Sequence, residues 1–398
     1  MNTTRAGQSA IPRIHSVDIL RGLVMIIMAL DHVRDYVDPI AFDPANMENS
    51  YPALFWTRWI THFCAPVFVF LAGTSASLWE WVKNKSKKEL SWLLFSRGIW
   101  LMLVEVLIIN PIWTFQLAWA GGFVQVIWVI GLSMVVLSAL VYLPWRVILW
   151  LSLITIFAHN LLDSNSYFGD ATINGEGWLP WLWTFLHEDG AIFVDGNYFY
   201  YAAYPLIPWF AVMSLGYCFG AIYKMEEAAR KKLLIRLGFV VTGGFILLRA
   251  VNVYGDPGPW SGQESLGLTI ISFFNTEKYP PSLSYLLMTL GPSMFVLAYT
   301  EKWSSKVSRM ISVYGQVPFF YYILHLFLAH LVAVFIGLFK GFSLDVAMQP
   351  FWMYPEGYGL SLGWAYVFWI LVVSALYLPC VWYANLKKRN KHPIFTYL

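Results

Sequence analysis

Ten apolar stretches, each about as long as a bilayer-crossing helix, recur along this 398-residue chain. A hydrocarbon core about 30 Å thick takes roughly 20 consecutive, mainly apolar residues per helical crossing. The windows run approximately over 19–37, 55–82, 92–110, 122–143, 145–162, 199–223, 234–254, 283–300, 311–338 and 362–385. Only 12% of residues are charged while 58% are apolar, against about 25% charged in soluble domains, and this excludes a water-soluble globular enzyme. The expected fold is all-α: a polytopic bundle of about ten transmembrane helices forming one domain over 1–398, with the lipid bilayer as its first partner. Its larger extracytoplasmic loops fall at about 38–54, 163–198, 255–282 and 339–361. The turns at Asn110-Pro111 and Leu143-Pro144-Trp145 are short, so the third, fourth or fifth span is open to a re-entrant reading. No internal repeat of the kind built into many transporters is visible.

Basic residues set the orientation, because they stay on the cytoplasmic side. Of the 26 lysines and arginines, Arg34, Arg58, Arg249, Lys278 and Lys340 fall toward the outside and Arg21 opens the first span. The other twenty, from Arg5 and Arg13 to the Lys387–Lys391 cluster, fall in segments read as cytoplasmic. This bias predicts an even number of spans with both termini inside the cell. The N-terminal MNTTRAGQSAIPRIHSVD lacks an apolar core, so no cleaved signal peptide is expected. Cys64, Cys218 and Cys380 lie within spans and predict no disulfide. A formal net charge of +3 is too small to imply nucleic-acid binding.

With so few charges, those inside spans carry the functional information, since each costs roughly 2.5–3.5 kcal/mol on insertion scales. Span one begins with Asp18 and Arg21, i and i+3 neighbours, and ends with Asp31, His32, Arg34 and Asp35 after an uncharged apolar run. Asp18 and Arg21 read either as a salt bridge at the helix start or as a cradle in which the guanidinium meets an anionic group. At the other end one turn assembles a histidine with carboxylates, and an aspartate beside an imidazole can fix its tautomer for general base catalysis. Span two adds Arg58 and His62, i and i+4, followed by Pro66 and the small residues Gly73, Thr74, Ser75, Ala76 and Ser77. Antiparallel packing of spans one and two predicts that His32 and His62 lie at similar depth. Glu105, His159, and Arg249 with Asn252 are isolated polar groups expected to satisfy one another. Span nine carries His325, a candidate substrate contact, and His330; five residues apart, they do not converge from one face. No metal motif is present, and no metal is predicted. The segment 163–200 mixes Trp178, Trp181 and other aromatics with Asp170, Glu176 and Asp195. It reads either as an interfacial belt or as a roof, completed by 255–282, over a pocket for a polyhydroxy ligand.

The runs RIHSVDILRGLVMIIMALDHVRDYV, THFCAPVFVFLAGTSASL, YPLIPWFAVMSLGYCFG and GQVPFFYYILHLFLAH resemble the transmembrane acyltransferases related to heparan-alpha-glucosaminide N-acetyltransferase and their bacterial YeiB-type relatives. The resemblance implies a multi-span enzyme that moves an acetyl group from cytoplasmic acetyl-CoA, its co-substrate, to an amino sugar, glycan or hydroxyl on the far side. For a bacterial chain it implies the inner membrane. It points to a histidine toward the outer side as catalytic. Here that is His32 with Asp31 and Asp35 beside it, and His62 stays a rival. Arg21, Asp18 and Arg97 would then hold the nucleotide, while Arg34, Arg58, Trp178, Trp181 and His325 would contact the acceptor. Direct transfer and an acetyl-histidine intermediate both remain open, as does self-association. The competing reading is a proton-coupled transporter of a small polar solute, whose coupling residues would be expected near the midplane in broken, repeated helices. A non-catalytic scaffold would leave the buried charges uncompensated.

Overall fold

A computed structural model of the chain describes residues 14–40, 42–46, 48–115, 122–163, 177–194, 197–390 and 392. Arg5, Arg13, Asp170, Glu176, Asp195 and Lys391, named above, lie outside the described residues. The chain is mostly helical. In order come α1 (His15–Val37), α2 (Pro52–Thr61), α3 (Cys64–Val82), α4 (Lys87–Val104), α5 (Val126–Leu140), α6 (Trp145–Ala158), α7 (Trp178–Leu186), α8 (Leu206–Phe219), α9 (Glu227–Val251), α10 (Leu266–Phe274), α11 (Leu283–Thr300), α12 (Lys306–Gln316), α13 (Pro318–Phe339) and α14 (Leu362–Arg389). Among the described residues, eight helical stretches are long and apolar enough to cross a membrane. They are Pro52–Val82, Lys87–Thr114, Trp145–Leu162, Leu206–Lys224, Glu227–Val251, Leu283–Thr300, Pro318–Phe339 and Leu362–Arg389. The other two expected spans correspond to α1 and the shorter α5.

Helix α1 carries charged residues at both ends and is central, packing on α2, α3, α11, α12, α13 and α14. A central position hides its charges from lipid, which is where intramembrane ionisable groups belong. Conversely α6, α9 and α14 turn large apolar side chains outward, among them Trp150, Phe239, Leu247 and Leu378. Such a belt suits a lipid surround.

Two backbone crossings hold the bundle tightly. A Cβ on Gly22 would lie 2.0 Å from the Ile311 carbonyl oxygen, and one on Gly315 would lie 2.0 Å from that of Asp18, so α1 and α12 touch backbone to backbone. The small-residue face expected in span two does the same against α8: Gly73 meets the Met213 carbonyl and Gly216 that of Phe70. Thr74 adds a hydrogen bond to the Gly216 carbonyl at 3.1 Å.

The structure corrects the expected boundaries in three places. The helical hydrogen-bond pattern of span two is interrupted at His62 and Phe63, between α2 and α3. The helix break in the ninth span falls at Val317, immediately before Pro318, which lacks the amide hydrogen that would continue a helix from α12. The all-helical expectation also misses a small sheet of β1 (Gly122–Val124), β2 (Gly190–Val194) and β3 (Asn197–Ala202) in the order β1-β3-β2, β1 pairing parallel with β3 and β2 antiparallel. The fourth span therefore starts at Val126 rather than 122. The three residues of β1 are too few for alternation to be read, and β3 runs into the apolar stretch expected as the sixth span. The cysteines are unbridged.

Candidate active site

Two cavities meet at His32. The larger, about 750 Å3, is lined at the carboxyl end of α1 by Asp31, His32, Arg34 and Asp35, by Arg58 of α2, and by Tyr204, Lys278 and Tyr279. The smaller, about 320 Å3, extends along α1 from His32 to Arg21 and also borders Arg97, Gln316 and Lys387. Asp31, His32, Gln125, Tyr204 and Lys278 line both. His32 therefore stands between a polar chamber at one end of the bundle and a narrower passage with three cations at its other end.

The His32 ring is oriented by a residue far away in sequence. Nδ1 of His32 and Nε2 of His325 are 2.8 Å apart, and Nδ1 of His325 lies 2.8 Å from the Tyr321 carbonyl oxygen. A carbonyl only accepts, so His325 Nδ1 carries the hydrogen; in the neutral pair its Nε2 then accepts from His32 Nδ1. The tautomer of His32 follows from this network: Nε2 is left with its lone pair, as a general base or nucleophile requires. The ring is boxed by Trp113 and Tyr322 edge-on, with centroids at 5.1 and 5.9 Å. Tyr36 donates to the Trp113 carbonyl at 2.7 Å and steadies that wall.

The expected role for the aspartates needs correction. Asp31 does not bond His32; its Oδ2 accepts from Arg58 at 2.5 Å and its Oδ1 lies 3.5 Å from Arg34. Asp35 pairs with Arg34. Consecutive helix positions do not face each other, and a buried carboxylate gains more from a guanidinium than from an imidazole. The two acids thus fix Arg34 and Arg58 along the chamber wall.

Lys278, which the sequence suggests only as part of the 255–282 roof segment, is a further candidate site residue. It is buried, 8% exposed, lines both cavities, and sits over the Tyr204 and Tyr279 rings. Burial alone would push the Tyr279 hydroxyl up, but Lys278 and Arg58 together hold it below the usual phenol range. Arg34, Arg58 and Lys278 line the chamber together with Asp31, Asp35 and Asp43, and Lys278 places a cation there that can meet a carbonyl oxygen gaining charge. The only signal available in the sequence was a lone lysine on the side with few basic residues.

At the far end, Arg21 donates to Ser75 Oγ at 2.6 Å and to the Gly315 carbonyl at 3.2 Å, and lies 3.6 Å from Asp18. Both sequence readings of Asp18 and Arg21 are compatible with this geometry: the pair exists, and Arg21 borders a cavity together with Arg97 and Lys387. In the sequence Lys387 carries only a topology signal.

Other candidates lie elsewhere. His62 lines neither of the His32 cavities; it borders a third, of about 470 Å3, with Arg58, Asp256 and Lys278. The predicted match in depth does not bring the two rings together. Trp178 and Trp181 lie on α7 outside the linings of these three cavities, and Trp178 is 72% exposed. Tyr201 and Tyr204, farther along the same segment, line the larger chamber instead. Glu105 and Arg249 do not pair. Arg249 donates to the carbonyls of Gly258, Ser272, Phe273 and Asn275, tying the 255–275 segment to α9.

Fold and site together define a multi-pass membrane protein in which His32, paired with the buried His325, borders two cavities. A family model for heparan-alpha-glucosaminide N-acetyltransferase, catalytic, matches residues 13–247, more than half of the chain. The chain belongs to that family, whose activity is N-acetyl transfer. The match takes in Arg21, His32 and Arg97 but ends before Lys278 and His325, whose assignment rests on the geometry. No curated protein matches the chain.

Proposed function

We propose that this protein takes an acetyl group from acetyl-CoA on the cytoplasmic face and delivers it to an extracytoplasmic acceptor, an amino sugar or glycan, at His32. In this reading α1 and α5 complete ten spans with both termini in the cytoplasm of a bacterial inner membrane. The observation that carries the proposal is that His32 borders both cavities and has its Nδ1 engaged by His325.

Arg21, Arg97 and Lys387 would meet the phosphates of the nucleotide. The fourteen positions from Asp18 to His32, at about 1.5 Å per residue, span roughly 21 Å, a gap suited to an extended pantetheine arm. The thioester then reaches His32 through the narrower passage while the acceptor occupies the larger chamber. In direct transfer, His32 Nε2 takes a proton from the acceptor amine as its nitrogen bonds to the thioester carbon. Lys278 stabilises the oxyanion, the carbon–sulfur bond breaks, and the thiolate takes the proton from the imidazolium. In the two-step route the same Nε2 attacks the thioester carbon first and expels the CoA thiolate; the acceptor amine then attacks the acetyl group, the Nε2–carbon bond breaks, and the amine proton passes to the thiolate.

The test is incubation of purified protein with radiolabelled acetyl-CoA, with and without amino sugars, for wild type, His32→Ala and His62→Ala. The proposal expects transfer in wild type and in His62→Ala and none in His32→Ala. Label trapped on wild type without acceptor, and lost in His32→Ala, selects the two-step route. Failure of the wild-type protein to bind CoA would remove the acetyl-transfer reading.

A further inference from the structure

We propose a divalent metal site, best suited to Zn2+, formed by His159, Asp163 and His187 on the same side of the bundle as the larger chamber. These three residues offer ligand atoms that all lie within 4.8 Å of one another. His159 and Asp163 are one helical turn apart at the end of the α6 span, and His187 follows α7. Zinc takes imidazole nitrogens and carboxylate oxygens at about 2.0–2.2 Å, which puts tetrahedral ligands about 3.3 Å apart. His187 Nε2 and Asp163 Oδ1 are already 2.9 Å apart, and the two imidazole centroids are 5.8 Å apart at 68°. Two imidazoles with one carboxylate are a borderline-soft donor set that suits zinc rather than calcium or magnesium.

A plain histidine–aspartate hydrogen bond accounts for only a portion of this cluster. His159 is 2% exposed, yet among the described residues neither of its ring nitrogens has a hydrogen-bond partner, and Nδ1 of the fully buried His187 lacks one as well. A buried polar atom left unpaired costs about 1–3 kcal/mol, and native structures leave few of them. A cation bound through one nitrogen of His159 would relieve part of that cost, each imidazole offering one ligand atom. The carboxylate is also prepared: Asn160 Nδ2 donates to Asp163 Oδ2 at 2.5 Å, which leaves Oδ1 turned to the histidines, the arrangement by which neighbours orient metal ligands. Three protein ligands leave a fourth position for water.

The site would act as a clamp. Asn160 also accepts from the backbone nitrogen of Leu283 at 2.9 Å, at the first residue of α11 and just beyond Lys278 and Tyr279. Beyond His187, the chain runs through β2 and β3 to Tyr201 and Tyr204. A metal here would therefore brace two walls of the larger chamber. Sequence spacing hides it because the third ligand lies 24 residues from Asp163.

The test uses full-length protein purified through a histidine-free tag, stripped with a chelator, and titrated with Zn2+ and with Co2+ as a spectroscopic probe. The expectation is about one Zn2+ per chain bound at micromolar or lower Kd, a visible cobalt spectrum of four-coordinate type, and a higher Tm on loading. His159→Gln and His187→Gln should each weaken binding about 100-fold or more, the loss expected when a ligand or its orienting neighbour is removed. His15→Gln, on the first turn of α1, should not weaken it. Absence of zinc and cobalt uptake by the stripped wild type overturns the proposal even if a variant misfolds. So does unchanged binding in both folded variants.

Discussion

His32 was legible in the sequence because it closes an uncharged run of span one, where an ionisable group has to be explained. Its orienting partner was not, since His325 lies 293 positions away and only packing of α1 beside α13 brings the rings together. The aspartates mislead for the same reason: adjacency in sequence suggests a carboxylate–imidazole pair, whereas three-dimensional packing supplies Arg34 and Arg58 as stronger partners. Loss of a general base or nucleophile should be severe. His32→Ala is expected to lower kcat by about 10²–10⁴-fold with acetyl-CoA affinity nearly unchanged, measured by steady-state kinetics alongside CoA binding. In the proposed mechanism His325 acts through His32, so His325→Ala should lower kcat by a smaller factor, about 10–100-fold by analogy with other groups that orient an imidazole, with KM little altered. An equal rise in KM would instead indicate that His325 contacts the acceptor. Arg21→Ala removes charged hydrogen bonds worth about 1.5–3 kcal/mol and should raise KM for acetyl-CoA by about tenfold or more with protein yield retained. Loss of yield together with activity would make the Asp18–Arg21 pair structural.

Hydropathy reads the helices well where they are long and lipid-facing, as in α9 and α14, whose apolar runs match the expected windows. It reads them poorly where tertiary contacts decide. The interruption at His62 and Phe63 sits before Pro66, which has no amide hydrogen for the His62 carbonyl, so proline rather than periodicity marks it. The strands β1, β2 and β3 are short and supported mainly by one another. The small-residue face of α3 is visible in the sequence, and its partner α8 becomes evident only from the crossing at Gly73 and Gly216. Larger side chains at these positions would force the crossing backbones to separate. Gly73→Leu and Gly216→Val should each destabilise the protein by about 1–3 kcal/mol or more, seen as a lower Tm in detergent. Gly243→Ala, where an added Cβ meets nothing within 4 Å, should leave Tm unchanged or slightly raised. Equal effects at all three glycines would argue against the close crossing.

On the scale of the whole molecule, the scarcity of charge is explained by where the charges sit. Arg21, Arg97 and Lys387 gather at one end of a passage, while Arg34, Arg58 and Lys278 gather at the other with their acids, and α1 joins the two ends. That layout suits a group that enters from one face and leaves toward the other, and it predicts sidedness. The central claim is tested most directly in sealed inverted membrane vesicles, with labelled acetyl-CoA outside and an impermeant amino sugar trapped within. The account predicts acetylated sugar in the lumen with wild-type protein and none with His32→Ala. Product formed only when the amino sugar is supplied on the same side as acetyl-CoA, or formed equally by His32→Ala, would contradict it.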